Sequence, residues 1–215
     1  MQALYERYAV ATSAMQQGDL KQAIEVFSET IDRYPEFVAA RVNLAHCLRL
    51  VGRLKEALKH LGVAHNLAPN DPDIHLAAGL ICDAMGDKER EIKHYHEALK
   101  DNPMELQAMN NLGLAYREVG DFTESAKWWL KAIDVSSKLE EISGKIGGKA
   151  PEKSKYYYNL ALTYEAAEDW EKAIKCWEAG IALQPNSDIG LFQEGLQNAI
   201  TKSRENKKSR RFFKR

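Results

Sequence analysis

Residues 106–137 read LQAMNNLGLAYREVGDFTESAKWWLKAIDVSS. In this stretch Leu112-Gly113, Tyr116, Gly120-Asp121, Trp129 and Ala132 stand at offsets that recur elsewhere in the chain. With the turn glycine taken as position 15 of a unit, Gly18, Gly52, Gly86 and Gly120 lie 34 residues apart. Position 24 is always large: Phe27, Leu61, Tyr95, Trp129 and, in a fifth unit, Trp177. Position 8 is always small: Ala11, Ala45, Gly79, Gly113 and Ala161. Position 27 is Ala64, Ala98, Ala132 or Gly180, with Thr30 in the first unit. Position 32 is Pro35, Pro69, Pro103 or Pro185, and the fourth unit has Ser137 there.

Each choice has a physical reason. Glycine at position 15 supplies the left-handed backbone that ends a helix at little cost. Aspartate at position 16 (Asp19, Asp87, Asp121, Asp169) can accept the free amides of the next helix, and Arg53 breaks that pattern. Small residues at positions 8 and 27 let helix backbones approach, and the large residue at 24 fills the space between them. Proline at 32 stops the second helix. Apolar residues between these points recur at helical spacing, without the alternation of a strand.

A period of 34 with these residues resembles the tetratricopeptide repeat family, from about Leu4 to Gln184. The first unit departs most, with Arg7 and Val10 where the family prefers an aromatic and leucine. The resemblance implies an all-α fold: a right-handed superhelical solenoid of five helix-turn-helix repeats plus a C-terminal capping helix. The expected repeats are 4–35, 38–69, 72–103, 106–137 and 154–185, within a solenoid over 1–203. The fifth unit begins 48 residues after the fourth, which leaves an insertion at 138–153. Leu139, Ile142 and Ile146 are spaced so that the preceding helix runs on into it, and Gly147 to Pro151 read as a loop. The capping helix is expected at 188–203, with Ile189, Phe192, Leu196, Ala199 and Ile200 as its apolar stripe. Residues 204–215 read as a basic flexible tail.

Composition is that of an ordinary globular chain, with a net charge of −1. That small number hides an asymmetry. From Lys202 to Arg215 there are eight basic residues and one acid, Glu205, so the rest of the chain is acidic. Cys47, Cys82 and Cys176 lie in helical patterns and read as buried or partly buried thiols in a reducing compartment, not a disulfide framework. No basic start leads into an apolar core, and no apolar run reaches the roughly 20 residues that span a bilayer. The expected location is the cytoplasm, with peripheral membrane attachment through the tail as the alternative.

The resemblance also implies a concave groove lined by the first helix of each repeat. Asn43, Asn111 and Asn159 share position 6, and Asn110 and Tyr158 share position 5. Lys155 stands at position 2, His46 at 9 and Arg117 at 12. An asparagine ladder can donate to and accept from the backbone of an extended peptide. The pattern with which some family members grip acidic chaperone tails is absent, since Asp73 and Ala77 occupy two of its basic positions. No cofactor and no metal site are expected: His94 and His96 point to different sides of a helix, and His60 and His65 are five apart. Ser143–Ala150 fails the spacing of a phosphate loop. Trp129 and Trp177 are core positions, whereas Trp128 has no core role by this reading.

The expected function is therefore that of a non-catalytic scaffold or adaptor holding an extended or helical segment of a partner protein in the groove. The alternative is an assembly or tethering protein. It would act by self-association, or by setting Lys207, Lys208, Arg210, Arg211, Lys214 and Arg215 on anionic lipid or an acidic protein surface. No folded nucleic-acid-binding module and no enzyme are expected.

Overall fold

In a computed structural model the described residues are 2–146, 153–183 and 189–212. They form eleven α-helices and no strand. In chain order these are α1 (Gln2–Gln16), α2 (Leu20–Arg33), α3 (Val38–Leu50), α4 (Leu54–Leu67), α5 (Pro72–Ala84) and α6 (Lys88–Asp101). They continue as α7 (Leu106–Glu118), α8 (Phe122–Ile146), α9 (Ser154–Ala166), α10 (Trp170–Leu183) and α11 (Ile189–Phe212). The chain divides into two compact units, Met1–Ala108 and Met109–Arg215.

The turn chemistry places the helix ends. Gly18, Gly52, Gly86 and Gly120 have φ of 81°, 79°, 74° and 81°. Glu168 fills the fifth such position at φ 56°, a region that a side chain makes costly. The aspartate that follows caps the next helix: Asp19 accepts from the Gln22 amide at 3.0 Å and Asp121 from the Glu124 amide at 3.0 Å. Arg53 has no such bond, and its guanidinium instead donates to Glu56.

In the first unit α1 packs on α2, α3 on α4 and α5 on α6, with α2 on α3 and α4 on α5 joining the pairs. Phe27, Leu44, Leu48 and Ile81 are fully buried there. In the second unit α8 packs on α9, α9 on α10 and α10 on α11. Trp129, Tyr156, Leu160 and Trp177 form its interior. Trp128, for which the sequence suggested no core role, is also buried, with the Lys131 ammonium 4.8 Å from its ring centroid.

Where the fourth repeat lacks its proline, α8 does not stop and runs for 25 residues. Its extension is only partly covered: Leu139 is half-buried and Ile142 exposed. Lys153 pairs with Glu140 of that extension. The expected loop from Gly147 to Pro151 lies outside the described residues.

The last helix differs from expectation. The cap was expected to end at 203, yet α11 continues to Phe212 through most of the stretch read as a flexible tail. The physical reason lies in the sequence itself, because residues 204–212 hold no proline or glycine and are rich in lysine and arginine, which favour helix. Phe192 and Ala199 are buried and Ile189, Leu196 and Ile200 half-buried, so the expected stripe faces the protein.

Candidate functional site

The first helices carry the candidate groove residues on a face set by the helical period. In the first unit, Asn43 of α3 donates from Nδ2 to the Tyr8 hydroxyl of α1 at 2.8 Å. The Tyr8 ring packs edge-on against Phe37, with centroids 5.0 Å apart, and lies 5.9 Å from Phe27. One turn further along, His46 is half-buried, and burial followed by the nearby Arg49 charge pushes its imidazole below the ordinary value. Arg49 has a buried Nε with no hydrogen-bond partner.

In the second unit, α7 carries Asn110, Asn111 and Arg117. Asn110 Nδ2 donates to Asn111 Oδ1 at 3.2 Å. Asn111 Nδ2 and Arg117 Nη1 are both buried with no acceptor among the described residues. Arg117 and Arg49 share repeat position 12, so two half-buried arginines, each with one buried and unpartnered nitrogen, stand at the same place on a first helix. A buried donor without a partner is costly, and a turn of the half-buried side chain that brings it to a ligand's carbonyl or carboxylate would remove that cost.

The α9 residues are less uniform. Lys155 is exposed, with its ammonium 5.1 Å from the Tyr156 ring centroid. Tyr158 packs edge-on against Trp177 and Phe192, at 5.3 Å and 5.7 Å, so part of its ring is given to the junction with α11. Asn159 is half-buried, and its backbone carbonyl accepts from the Thr163 hydroxyl at 2.9 Å. Thus Asn110 and Asn111 are brought together, Asn43 is tied to Tyr8, and Tyr158 belongs partly to the interior.

Of the basic C-terminal residues, Lys207 pairs with Glu171 of α10 at 3.1 Å, and Lys208 is exposed. Arg210 and Arg211 lie on α11, while Lys214 and Arg215 lie outside the described residues. A cleft of about 350 Å³ opens beside Lys207, lined among others by Glu168, Asp169, Trp170 and Ser203. No described helix is long and apolar enough to cross a membrane.

Spacing within single helices did not reveal one cluster. His65 of α4, His75 of α5 and His94 of α6 meet in the first unit, with His75 Nδ1 3.3 Å from His94 Nδ1. They are not three separate surface histidines. Among the described residues no group of three or more His, Cys, Asp or Glu side chains is placed to hold a metal ion.

Two family models, both described as tetratricopeptide repeat, match residues 14–90 and 104–186. The chain is 25% identical over 170 residues to the anaphase-promoting complex subunit CDC16 of Saccharomyces cerevisiae, covering 79% of this chain and 19% of that protein. It is 23% identical over 209 residues to the TPR repeat-containing protein YpiA of Bacillus subtilis, covering 86% of this chain and 48% of that protein. The chain therefore spans less than half the length of either relative. In fold it is similar to YrrB, a TPR protein with an unusual peptide-binding site, at a TM-score of 0.62 and 15% identity, over 86% of this chain and 88% of that one. Two matches that together cover most of the chain, on helix pairs with the expected turns and close packing, mean that it belongs to the tetratricopeptide repeat family.

Proposed function

We propose that the chain is a non-catalytic scaffold that holds a segment of a partner protein against the first helices of its repeats. The observation that carries this reading is the pair of buried, unpartnered donors on α7, Asn111 Nδ2 and Arg117 Nη1. Main-chain carbonyls of an extended segment are the acceptors that such donors suit, and binding of that kind reads little sequence. Asn159 shares its repeat position with Asn111 and extends the same donor type to α9. The family fold serves protein–protein interaction in general, and the peptide-binding site of the similar YrrB supports the finer reading. The test is a pull-down from native lysate with the full chain beside its Asn111→Ala/Asn159→Ala variant, followed by mass spectrometry. Loss of partners from a variant with unchanged circular dichroism supports the groove. Recovery of the same partners in the same amounts rejects it.

A second reading is tethering, by self-association or by the basic C-terminal helix on an anionic surface. The continuation of α11 to Phe212 favours it, because it sets Lys202, Arg204, Lys207, Lys208, Arg210 and Arg211 on one helix. The pairing of Lys207 with Glu171 of α10 supports it only in kind, as a lysine of this segment set against a carboxylate of the same chain. Truncation after Ser203 abolishes partner recovery on this reading and leaves it intact on the first.

A further inference from the structure

We propose that His65, His75 and His94 make the packing of the second repeat on the third a pH-sensitive joint, tight while the rings are neutral and loosened by acid. The three rings come from three helices of the first unit. His75 and His94 bring their Nδ1 atoms to 3.3 Å, with ring centroids 5.6 Å apart. His65 meets His75 edge-on, its centroid 5.3 Å away. Helix α4 belongs to the second repeat and α5 and α6 to the third, so the cluster bridges the two.

The chemistry follows from proton counting. Two facing Nδ1 atoms share one hydrogen: one ring donates and the other accepts. A first added proton can be held, because an imidazolium N–H can still point at a bare Nδ1. A second cannot, since it sets two N–H donors and two positive charges face to face, with His65 adding a third when it is charged. The rings then separate, and the contacts they make between α5 and α6 and between α4 and α5 are lost.

The surrounding charges do not cancel this. Glu97 and Asp101 of α6 favour a charged His75, whereas His65 of α4 and Lys100 of α6 oppose it. Around His94, Glu97 favours the charge, and His75, Lys93 and Arg90 oppose it. Glu97 is committed elsewhere, since Lys100 donates to its two oxygens at 2.7 Å and 2.8 Å. On α5 the other acid near the start is Asp73, and burial pushes its carboxyl upward. Helix α3, which also packs on α5, carries Arg41, His46 and Arg49, none of which is among the charges acting on His75 or His94.

Burial is the largest cause holding both His75 and His94 below the ordinary histidine range. The sign follows. The unfolded chain binds protons at about pH 6.5 while the folded pair still resists, so the unfolded state holds more protons in that window. The stabilisation is complete above about pH 6.5 and is lost as pH falls from there towards the lowered folded values.

The test uses the full chain. Imidazole resonances are followed by NMR from pH 8 to 4, and thermal unfolding is measured at pH 7.5 and 5.0. The expected result is that His75 and His94 titrate below the ordinary histidine value, in separate steps, and that the midpoint falls by about 5 °C or more on acidification. Hydrogen-exchange protection in α4, α5 and α6 should fall more than in α1 and α2. The His75→Gln/His94→Gln variant should keep less than half of that midpoint shift. The His46→Gln/His60→Gln variant serves as control, because those two rings are also lowered by burial but lie outside the cluster. Independent titration of His75 and His94 near the ordinary value overturns the proposal. So does an unchanged midpoint shift in the His75→Gln/His94→Gln variant. If that variant does not fold, the NMR titration of the natural chain decides alone.

Discussion

A Cβ added to Gly113 would stand 2.4 Å from Cε2 of Trp129, closer than any side chain can tolerate. Trp129 is fully buried, so its ring has nowhere to turn. Gly113→Ala should therefore cost about 1–3 kcal/mol, the range for overpacking a close-packed interior. Chemical denaturation measures it. Trp129→Phe in the same chain should recover part of the loss by vacating the space. A neutral Gly113→Ala would mean that α7 and α8 can part at this contact at little cost. Gly79 stands in the same relation to Tyr95, at 2.3 Å, which makes Gly79→Ala the matching test in the first unit.

Thr163 holds a second buried relationship. Its hydroxyl accepts from Trp129 Nε1 at 3.2 Å, lies 3.2 Å from Ser125 Oγ and donates to the Asn159 carbonyl at 2.9 Å. Ser125 in turn donates to the Gly113 carbonyl at 2.7 Å. Thr163→Val keeps the shape but leaves the indole N–H buried without an acceptor, at a cost of about 1–3 kcal/mol. Thr163→Ser keeps the acceptor and should cost less than the valine variant in the same unfolding experiment. Equal losses would show that the methyl group matters as much as the hydroxyl.

Much of this was written in the repeat. The 34-residue spacing gives the helix boundaries because glycine, aspartate and proline act on the backbone within a few residues of themselves. The run-on of α8 was read from the helical spacing of Leu139, Ile142 and Ile146, and the absence of proline at Ser137 is the local reason the helix can continue. What the pattern could not give depends on contacts between repeats. The burial of Trp128 and the meeting of His65, His75 and His94 join residues that no single-helix period relates. The end of α11 was missed for another reason: charge suggested solvation, and lysine and arginine are also good helix formers. In the candidate groove, the sequence picked out Asn43 but not its bond to Tyr8, and Tyr158 but not its packing on Trp177.

Glu168 is the one described non-glycine residue at positive φ, at 56°. Its repeat position is glycine in the four preceding units. Glu168→Gly should raise stability by about 0.5–1 kcal/mol, because relief of left-handed strain exceeds the extra freedom gained by the unfolded chain. A lower unfolding midpoint would mean that the Glu168 side chain makes a contact worth more than the strain.

The three cysteines should be chemically quiet. Burial pushes the Cys47 and Cys176 thiols up to about 11, and it raises Cys82 as well. At pH 8 a thiol at about 11 is ionised in on the order of one molecule in a thousand, and the thiolate is the reactive form. A disulfide reagent should label the native chain slowly, at a rate that rises with denaturant as the helices open. Rapid labelling of one thiol in buffer would mark a local opening.

Arg53 is where the aspartate cap is missing. Asp19, Asp87, Asp121 and Asp169 each accept from the amide three residues on, at 3.0, 3.1, 3.0 and 3.2 Å. Arg53 instead holds Glu56 through an ion pair on exposed side chains, an interaction worth little. Arg53→Asp replaces that pair with a cap worth about 1 kcal/mol and puts a negative charge at the start of α4, where the helix dipole favours it. Glu56 then loses its partner, but Lys59 stands three residues on, as Lys127 stands to Glu124 at 2.8 Å in α8. The net gain should be about 0.5 kcal/mol, and Arg53→Ala should show no gain. Urea unfolding of the two variants beside the natural chain separates the cap from the mere removal of arginine, and a loss in the aspartate variant would mean that the Arg53–Glu56 pair stabilises α4 more than its exposure suggests.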